Sequence, residues 1–379
     1  MIMRIGLTIV EKGATHPSGV HRYAANLITG ILRAHPEHDL VVFTHHNAAL
    51  LRFLPRDVQR SVCFSWYRPL VDGPVSNILW HLLVLPVQAL RYRLDIVHVT
   101  NGRPVGALGN ATVITLHDVA ELNIPGKFDI LRKFYRSRLL YPYMRRQAPI
   151  LTVSRQAKDD IASHLKLPSG DVIVLPNTTL WTPVEDPPKV EDPPEVRRQV
   201  FLYVGRIDHP SKNLLLLIKA FEQATTTMPF MELHLIGADS WRADVVHAAA
   251  EAAMARSRIV FHGWVSDESL QHWYRRAYAV CLPSLHEGFG LPVIEALRAG
   301  TPVLGANSGA LPEVLGTCEG LLPPHDVSAW AAAMQLMAAD EGRRRSLLET
   351  QRVAQKTIML SPEEVGSEAV DIYASLLRR

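Results

Sequence analysis

The chain has 379 residues, of which 47% are hydrophobic and 20% charged, which is typical of a globular protein and excludes a disordered or fibrous one. This length exceeds one compact core and suits two α/β domains of ordinary size. The net charge is +3, and the three scattered cysteines are too few for a disulfide framework or a thiolate metal site, which favours a reducing, cytoplasmic location.

The small net charge hides a basic first half. Residues 1–180 carry 21 Lys and Arg against 12 Asp and Glu, whereas residues 201–379 carry 16 against 20. Such an excess is either a solvated helix face or a surface that binds an anionic partner such as a membrane. The residues that contribute much of it are Arg132, Lys133, Arg136, Arg138, Arg145 and Arg146.

No segment predicts secretion or insertion into a membrane. The N-terminal residues run directly into a strand-like pattern and lack the features of a signal peptide. The longest apolar stretch, Ile78 to Leu90, is about thirteen residues long, short of the roughly 20 that cross a bilayer. We therefore expect a cytoplasmic protein, either free or peripheral on the inner face of the cytoplasmic membrane.

Short β-branched runs alternate with amphipathic helical stretches throughout the chain. The runs lack the apolar–polar alternation of a one-sided sheet and predict buried parallel strands. Strands that alternate with helices indicate two doubly wound α/β domains with right-handed crossovers. The predicted strands are Arg4–Val10, Leu40–Thr44, Asp95–Thr100, Thr112–Leu116, Ile150–Val153, Val172–Leu175, Val200–Val204, Glu232–Ile236, Arg258–Phe261, Ala279–Leu282, Pro302–Gly305 and Leu321–Leu322.

A proline-rich acidic segment, WTPVEDPPKVEDPPEVRR, separates the two halves at residues 181–198. Proline fixes φ and lacks a donor, so this segment predicts a stiff linker between a domain at 1–180 and a second at 199–360. Ser361-Pro362-Glu363-Glu364 then begins a C-terminal helix over 361–379. That helix packs either on its own domain or back on the first, and the sequence does not decide between them.

Ligands of open parallel sheets bind beyond the carboxyl ends of the strands, and polar residues there are the site candidates. Arg206 and Lys212 share one strand-to-helix loop, where two cations beside a helix N-terminus suit a diphosphate unless both are merely solvated. In the next candidate loop, Glu287 and Glu295 flank Gly288-Phe289-Gly290-Leu291. The glycines allow close approach of a phosphate or sugar, and Glu295, expected in the first helical turn, suits paired hydroxyls rather than only the helix dipole.

Two weaker candidates lie in the first half. His117 ends the strand TVITL and is followed by Asp118, which suits a capping or orienting role. Ser18 is a predicted N-cap, and Gly19 after it allows an anion to approach.

Motifs for a nicotinamide dehydrogenase, a P-loop NTPase, a serine hydrolase, a zinc protease and nucleic-acid modules are all missing. We expect no metal and no nucleic acid.

Together these motifs resemble the retaining glycosyltransferases of family GT4, which have the GT-B fold of two Rossmann-like domains facing each other across a crevice. The resemblance covers essentially the whole chain and is most specific in GFGLPVIEALRAGTPVLGANSGALPEVL. The opening THPSGVHRYAANLITGIL resembles the bacterial mannosyltransferase-like branch that builds O-antigens. Many relatives carry two glycines where this chain has Ser18-Gly19, so the pattern is met only in part.

The resemblance implies a reaction and a role for each candidate. A hexose would move with retention from a nucleotide sugar, such as GDP-mannose or a UDP- or dTDP-linked sugar, to a saccharide or lipid-linked acceptor, with no cofactor. The implied catalytic residues are His117, Arg206, Lys212 and Glu287, and the implied donor-binding residues are Gly19, Arg206, Lys212, Trp264, Val265, Glu287, Gly288, Phe289, Gly290, Leu291 and Glu295.

Those roles divide by chemistry. Arg206 and Lys212 would stabilise the departing diphosphate in place of a metal, and His117 would face the sugar from the other domain. Glu295 would bind the ribose, while Trp264 and Val265 would flank the base. The alternatives are a nucleotide-sugar epimerase or phosphorylase on the same architecture, or an inactive subunit that binds a sugar nucleotide.

Overall fold

The computed structural model of the chain describes residues 2–9, 18–45, 49–67, 74–106, 111–127, 134–146, 149–184, 198–316 and 319–378. These residues form two compact units. The N-terminal unit comprises Met1–Val119, Ile130–Leu180 and Met359–Arg379, and the C-terminal unit comprises Ala120–Asp129 and Trp181–Ile358.

The N-terminal unit contains a seven-stranded parallel sheet of order β3-β2-β1-β4-β5-β6-β7. All six strands predicted for this half are present. The additional strand, β3, lies at the sheet edge, and its sequence CFSWY, with Cys63 exposed and Phe64 and Ser65 half-buried, lacks the continuous apolar run of a central strand. The strands are β1 (Arg4–Ile9), β2 (Asp39–His45), β3 (Cys63–Tyr67), β4 (Ile96–Val99), β5 (Ala111–Thr115), β6 (Ile150–Thr152) and β7 (Val172–Val174).

The C-terminal unit contains a six-stranded parallel sheet of order β10-β9-β8-β11-β12-β13. Each strand predicted for this half is present, and the strand order reverses between β8 and β11, as in doubly wound folds. The strands are β8 (Gln199–Val204), β9 (Met231–Ile236), β10 (Ile259–Gly263), β11 (Ala279–Leu282), β12 (Val303–Ala306) and β13 (Leu321–Leu322).

Helices connect the strands in both units. Two π-helical turns, Trp80–Val84 and Arg136–Leu140, interrupt the helical segments of the N-terminal unit. The α-helices are α1 (Gly19–Ala34), α2 (Arg56–Ser61), α3 (Pro74–Leu79), α4 (Leu85–Arg91), α5 (Ala120–Asn123), α6 (Tyr141–Met144), α7 (Arg155–Leu165), α8 (Leu214–Ala224), α9 (Ala243–Ala252), α10 (Asp267–Arg276), α11 (Leu291–Arg298), α12 (Leu311–Leu315), α13 (Val327–Ala339), α14 (Glu341–Ile358) and α15 (Pro362–Leu377).

The C-terminal helix α15 packs on α1 of the N-terminal unit, which decides between the two positions that the sequence left open. The helices meet at a glycine contact, where a Cβ on Gly30 would lie 2.0 Å from the carbonyl oxygen of Pro362 and one on Gly366 2.2 Å from the carbonyl carbon of Gly30. Any larger residue would push the helices apart. The predicted cap is present, because Ser361 Oγ accepts from the Glu364 amide at 3.1 Å while Glu364 Oε2 accepts from the Ser361 amide at 2.7 Å.

The unit boundaries differ from the predicted ones in more than one place. Residues Ala120–Asp129, expected in the first domain, belong to the C-terminal unit, where Trp241 Nε1 donates to the Gly126 carbonyl at 3.0 Å. The start of the predicted linker also belongs there, since the Val184 amide donates to the Arg298 carbonyl at 2.8 Å. Proline-rich and turn-forming residues indicate where regular structure stops, whereas tertiary contacts such as these decide which core a segment joins.

Several sequence predictions concern residues outside the described ones: Val10, Pro17, Arg132, Lys133 and the linker residues 185–197. In the part of the chain that the structure describes, no helix combines the length and the apolar character needed to cross a membrane.

Candidate active site

The loop between β8 and α8 carries Arg206 and Lys212 at the carboxyl end of the sheet. The backbones of two loops lie close together here, because a Cβ on Gly237 would sit 1.9 Å from the Gly205 carbonyl oxygen. Both glycines have positive φ, +154° and +150°, a conformation that side chains rarely adopt. The glycine before Arg206 is therefore needed for the path of the chain.

Asp208 organises this loop, a role that the sequence analysis missed. Its side chain is 5% exposed, and Oδ1 accepts from Ser211 Oγ at 2.5 Å and from the Lys212 amide at 3.3 Å. The buried hydroxyl of Tyr203 donates to the Arg206 carbonyl at 2.8 Å from the other side. The available signal was an aspartate followed by a serine three residues later, just before a helix.

Lys212 and Glu287 form an ion pair. Nζ lies 2.6 Å from Oε1, and the two side chains are 16% and 18% exposed. The hydroxyl of Ser284 donates to the same Oε1 at 2.6 Å. Burial by itself raises the pKa of Glu287, but the charge and hydrogen bond of Lys212, the Ser284 hydroxyl and the charge of Lys127 outweigh it and hold that pKa below 4.5. The carboxylate is thus ionised at neutral pH.

Arg206 contrasts with Lys212. Its side chain is exposed and makes no ion pair or hydrogen bond with any residue in the described ranges. A guanidinium that is not engaged within its own unit is available to an anionic ligand. The loop therefore offers one open cation and one that is already balanced by a carboxylate.

The Gly288–Gly290 loop precedes α11, as predicted. Gly290 is the N-cap of that helix and has φ +95°, again a conformation suited to glycine. A second loop supports the first, because the Ala310 amide donates to the Glu287 carbonyl at 3.0 Å. A Cβ on Gly309 would lie 2.6 Å from the Glu287 amide nitrogen, so only glycine allows this approach. Leu291 is the first residue of α11 and is half-buried.

Glu295 differs from its predicted position. It is the fifth residue of α11, in the second turn rather than the first, and it is only 3% exposed. Its Oε2 accepts a hydrogen bond from the buried Tyr274 hydroxyl at 2.9 Å. The helical spacing places the residue on the buried face, and no local pattern indicates its partner Tyr274, which comes from α10.

Trp264 and Val265 follow β10 and are half-buried. They lie at the same carboxyl edge as Arg206, but β9 stands between their strand and β8. Two strand spacings of about 4.8 Å each separate the strands to which these loops belong. The base-binding assignment of these residues stays a prediction.

His117 follows β5 in the N-terminal unit and is half-buried. Its Nε2 lies 2.9 Å from the Thr100 carbonyl, which can only accept, so Nε2 carries the hydrogen. The ring of Tyr23 packs edge-on against the imidazole, with centroids 4.8 Å apart. Gly19 begins α1 and is exposed, and among the described residues no atom lies within 4 Å of the position a Cβ would take.

Among the described residues, one group has metal-ligand geometry. The ligand atoms of His35, Glu37 and His38 lie within 4.8 Å of one another. His38 Nδ1 accepts from the Met3 amide at 3.5 Å, so its hydrogen lies on Nε2 and that nitrogen is not a ready ligand. The group lies beyond the end of α1 opposite Gly19, about 24 Å along the helix at 1.5 Å per residue. The expectation that transfer needs no metal stays a prediction.

Comparisons with known proteins agree with this architecture. The family described as Glycosyltransferase Family 4 matches residues 17–179, and the family described as Glycosyl transferases group 1 matches residues 198–340. The chain is 27% identical to O-antigen chain mannosyltransferase B of Escherichia coli, over 95% of this chain and 96% of that protein.

Two solved structures are similar in fold. Sucrose-phosphate synthase from Thermosynechococcus elongatus has a TM-score of 0.74 at 20% identity, over 99% of each chain. HepE of Anabaena in complex with UDP and glucose has a TM-score of 0.71 at 16% identity, over 98% of this chain and 100% of that one.

The two parallel sheets form the GT-B fold. The matching families and the mannosyltransferase relative make the chain a glycosyltransferase. The chain belongs to family GT4 and is mannosyltransferase-like.

Proposed function

We propose that this glycosyltransferase moves mannose from GDP-mannose, with retention and without a metal, to a saccharide or lipid-linked acceptor in surface polysaccharide or glycolipid synthesis. The similarity to an O-antigen mannosyltransferase over almost the full length of both chains supports the sugar and the process. The UDP-bound HepE structure keeps UDP-linked sugars as an alternative donor class.

One observation carries the proposal: the open guanidinium of Arg206 and the ammonium of Lys212 share a loop at a helix N-terminus. Breaking the bond between sugar and diphosphate leaves negative charge on the phosphate. Fixed cations stabilise this charge more in the transition state than in the ground state. Arg206 brings an unbalanced positive charge to this loop, and the ammonium of Lys212, although paired with Glu287, is a second donor for the phosphate oxygens.

The arrangement of the carboxylates supports transfer without a glycosyl-enzyme intermediate. Glu287 is held by Lys212 and Ser284, and Glu295 is buried against Tyr274, so neither is placed as a free nucleophile. We propose that the acceptor attacks from the face that the diphosphate leaves, and that a phosphate oxygen takes the acceptor proton.

The other residues take the roles that the family resemblance implies. Glu287 and the amides of Gly288, Phe289, Gly290 and Leu291 bind the donor sugar and distal phosphate. Glu295 binds the ribose, Trp264 and Val265 flank the base, His117 contacts the transferred sugar, and Gly19 lines the phosphate end.

We also propose that the N-terminal unit contacts an anionic membrane. Four apolar side chains on the helical segment 74–91 are 49–69% exposed and recur every three or four residues, which places them on one face. They are Leu79, Leu83, Val87 and Leu90.

Basic and apolar residues of a neighbouring segment extend this surface. The Gly106 amide donates to the His81 carbonyl at 3.0 Å, and the Val105 amide donates to the Tyr143 hydroxyl at 2.9 Å, so segment 104–106 joins residues 74–91 to residues 134–146. The latter segment exposes Phe134 and Leu139. Exposed arginines on or next to the two segments are Arg91, Arg93, Arg138, Arg145 and Arg146. Apolar side chains beside cations suit an anionic bilayer surface.

Sedimentation with lipid vesicles tests the membrane proposal. The protein should bind vesicles that contain phosphatidylglycerol and not pure phosphatidylcholine, and Leu83→Asp should abolish binding. Val353→Asp on α14 is the matched control, because Val353 is 66% exposed and Leu83 65%. Equal binding by both variants would contradict the proposal.

A thermal-shift panel of GDP-mannose, UDP-glucose and dTDP-glucose tests the donor. A ligand at about 100 times its Kd stabilises the folded state by about 2.7 kcal/mol, so the true donor should raise Tm most. Product NMR then reads the anomeric configuration. An inverted product, or turnover abolished by EDTA and restored by Mg²⁺, would contradict the proposed mechanism.

A further inference from the structure

A chain of buried hydrogen bonds runs from the C-terminal helix to the neighbourhood of His117. Tyr373 Oη lies 2.6 Å from His98 Nδ1, His98 Nε2 lies 2.7 Å from Thr115 Oγ1, and Thr115 Oγ1 lies 3.1 Å from Tyr23 Oη. None of the four side chains is more than 1% exposed. All belong to the N-terminal unit, although 350 positions separate Tyr23 from Tyr373 in the sequence.

The four side chains of this hydrogen-bond chain carry no charge at neutral pH. Burial, assisted by the charge of His117, lowers the pKa of His98 to about 3. Burial also raises the pKa of Tyr23 to about 12, against the opposing hydrogen bond of Thr115, and raises that of Tyr373 well above 10. The hydrogen-bond chain therefore affects a neighbouring side chain through its geometry rather than through an electrostatic field.

The helix packing holds the distal end of the chain. Tyr373 is seven residues after Gly366, about two turns, and so lies on the same face of α15 as the glycine contact with α1. Tyr23 lies on α1, seven residues before Gly30. The two tyrosines that end the chain are thus fixed by the same pair of helices.

The proximal end of the chain meets His117. Tyr23 places its ring at 88° to the imidazole, 4.8 Å between centroids, and the Thr100 carbonyl takes the Nε2 hydrogen at 2.9 Å. The Thr100 hydroxyl in turn donates to the Thr8 carbonyl at 2.8 Å, which fixes that strand end. Both contacts hold the imidazole, and the Tyr23 contact leads back to α15.

We propose that Tyr373 is a positioning residue for the transfer reaction, which acts through His98, Thr115 and Tyr23 to orient the imidazole of His117. The inference rests on the proposed role of His117 toward the sugar. Without the Tyr373 hydroxyl, His98 Nδ1 is left buried without its partner, and the chain loses its fixed end.

Tyr373→Phe tests the proposal, with Tyr141→Phe as matched control. Tyr141 is also buried in the N-terminal unit, and its hydroxyl accepts from Arg136 Nε at 3.2 Å. Release of nucleoside diphosphate is measured with the nucleotide sugar that gives the largest thermal shift. We expect kcat to fall about tenfold in Tyr373→Phe, since small misplacements cost up to about 10²-fold. KM for the donor and the Kd of the nucleotide should change less than about twofold, since the proposed nucleotide contacts other than Gly19 lie in the other unit.

A double-mutant cycle separates positioning from a merely structural role. In a His117→Ala background, Tyr373→Phe should reduce kcat no further, because the group it orients is gone. Equal further loss in both backgrounds, or equal kcat for Tyr373→Phe and Tyr141→Phe, would overturn the proposal while leaving the role of His117 intact. Unchanged activity of His117→Ala would overturn both.

If Tyr373→Phe does not fold, as judged by circular dichroism, Tyr23→Phe takes its place. That variant keeps the ring on His117 and removes the hydroxyl at the proximal end. It should show the same fall in kcat and the same absence of effect in the His117→Ala background. Wild-type kcat in a folded Tyr23→Phe would overturn the proposal.

Discussion

The two units hold their candidate site residues in opposite electrostatic settings. In the C-terminal unit the residues are ionic: Lys212 balances Glu287 at 2.6 Å, and Arg206 stays exposed. In the N-terminal unit His117 lies beside a buried network in which burial keeps His98 uncharged. A charge on a loop is kept in place by an opposite charge nearby. The uncharged ring of His98 is held instead by hydrogen bonds to Tyr373 and Thr115, which lie on different elements.

The largest effect should come from the cations of the C-terminal unit. Arg206→Ala and Lys212→Ala each remove a charge that we place on the departing diphosphate, and kcat should fall about 10²- to 10³-fold, as for lost electrostatic donors in other enzymes. The measurement is steady-state release of nucleoside diphosphate from the donor.

Lys219→Ala is the matched control for both variants. Lys219 lies on α8, is exposed and is one turn or more beyond the loop, so its kcat should equal that of the wild type. Near-normal kcat in Arg206→Ala and Lys212→Ala would show that these two cations do not contribute to sugar transfer. The electrostatic difference between the units would then have no role in the reaction.

The ionic setting is the part of the site that the sequence predicts well. Arg206, Lys212 and Glu287 follow predicted strands, and their loops contain glycines, so a local pattern suffices to bring them to one sheet edge. The strands other than the edge strand β3 were predictable for the same reason, since buried parallel strands are local apolar runs.

The buried, uncharged hydrogen-bond network of the N-terminal unit was not predictable, because its members are distant in the sequence. Nothing local links Tyr23, His98 and Tyr373, and the docking of α15 on α1 depends on a glycine contact that only tertiary structure shows. The placement predicted for Glu295 was wrong for a related reason, because the residue lies in the second helical turn and is buried against Tyr274 of a different helix.

Glu295 gives the next largest expected effect and tests whether a buried carboxylate can serve a ligand. Glu295→Ala should weaken nucleotide binding about 30-fold, because hydrogen bonds to charged groups contribute about 1.5–3 kcal/mol. Tyr274→Phe should instead lower stability by about 1–3 kcal/mol, since Oε2 loses its buried donor. Isothermal titration with the nucleotide and urea unfolding measure the two effects. An unchanged Kd in Glu295→Ala would make the ribose assignment wrong.

Gly19 allows a smaller but cleaner test in the N-terminal unit. A methyl group there meets no atom of the described residues within 4 Å, so Gly19→Ala should fold with equal or slightly higher stability. If the donor phosphate occupies that space, kcat/KM should fall about tenfold, in line with overpacking costs of about 1–3 kcal/mol. Gly170→Ala is the control, because its surroundings are equally open and it lies in the same unit. Equal kcat/KM in the two variants would place the donor elsewhere.

The smallest effect concerns the pH dependence of the Lys212–Glu287 pair. The folded pKa of Glu287 lies below 4.5, so the folded state binds fewer protons than the unfolded state as pH falls toward that value. The stabilising contribution is therefore present above about pH 4.5 and is lost as pH falls through the folded pKa. Urea unfolding of wild type and Glu287→Gln at about pH 7 and about pH 4 should show the advantage of the wild type shrinking on acidification, while all other groups cancel in the difference. An advantage that stays constant or grows would mean that the carboxylate is not stabilised in its ionised form, and the electrostatic contrast between the units would then rest on Arg206 alone.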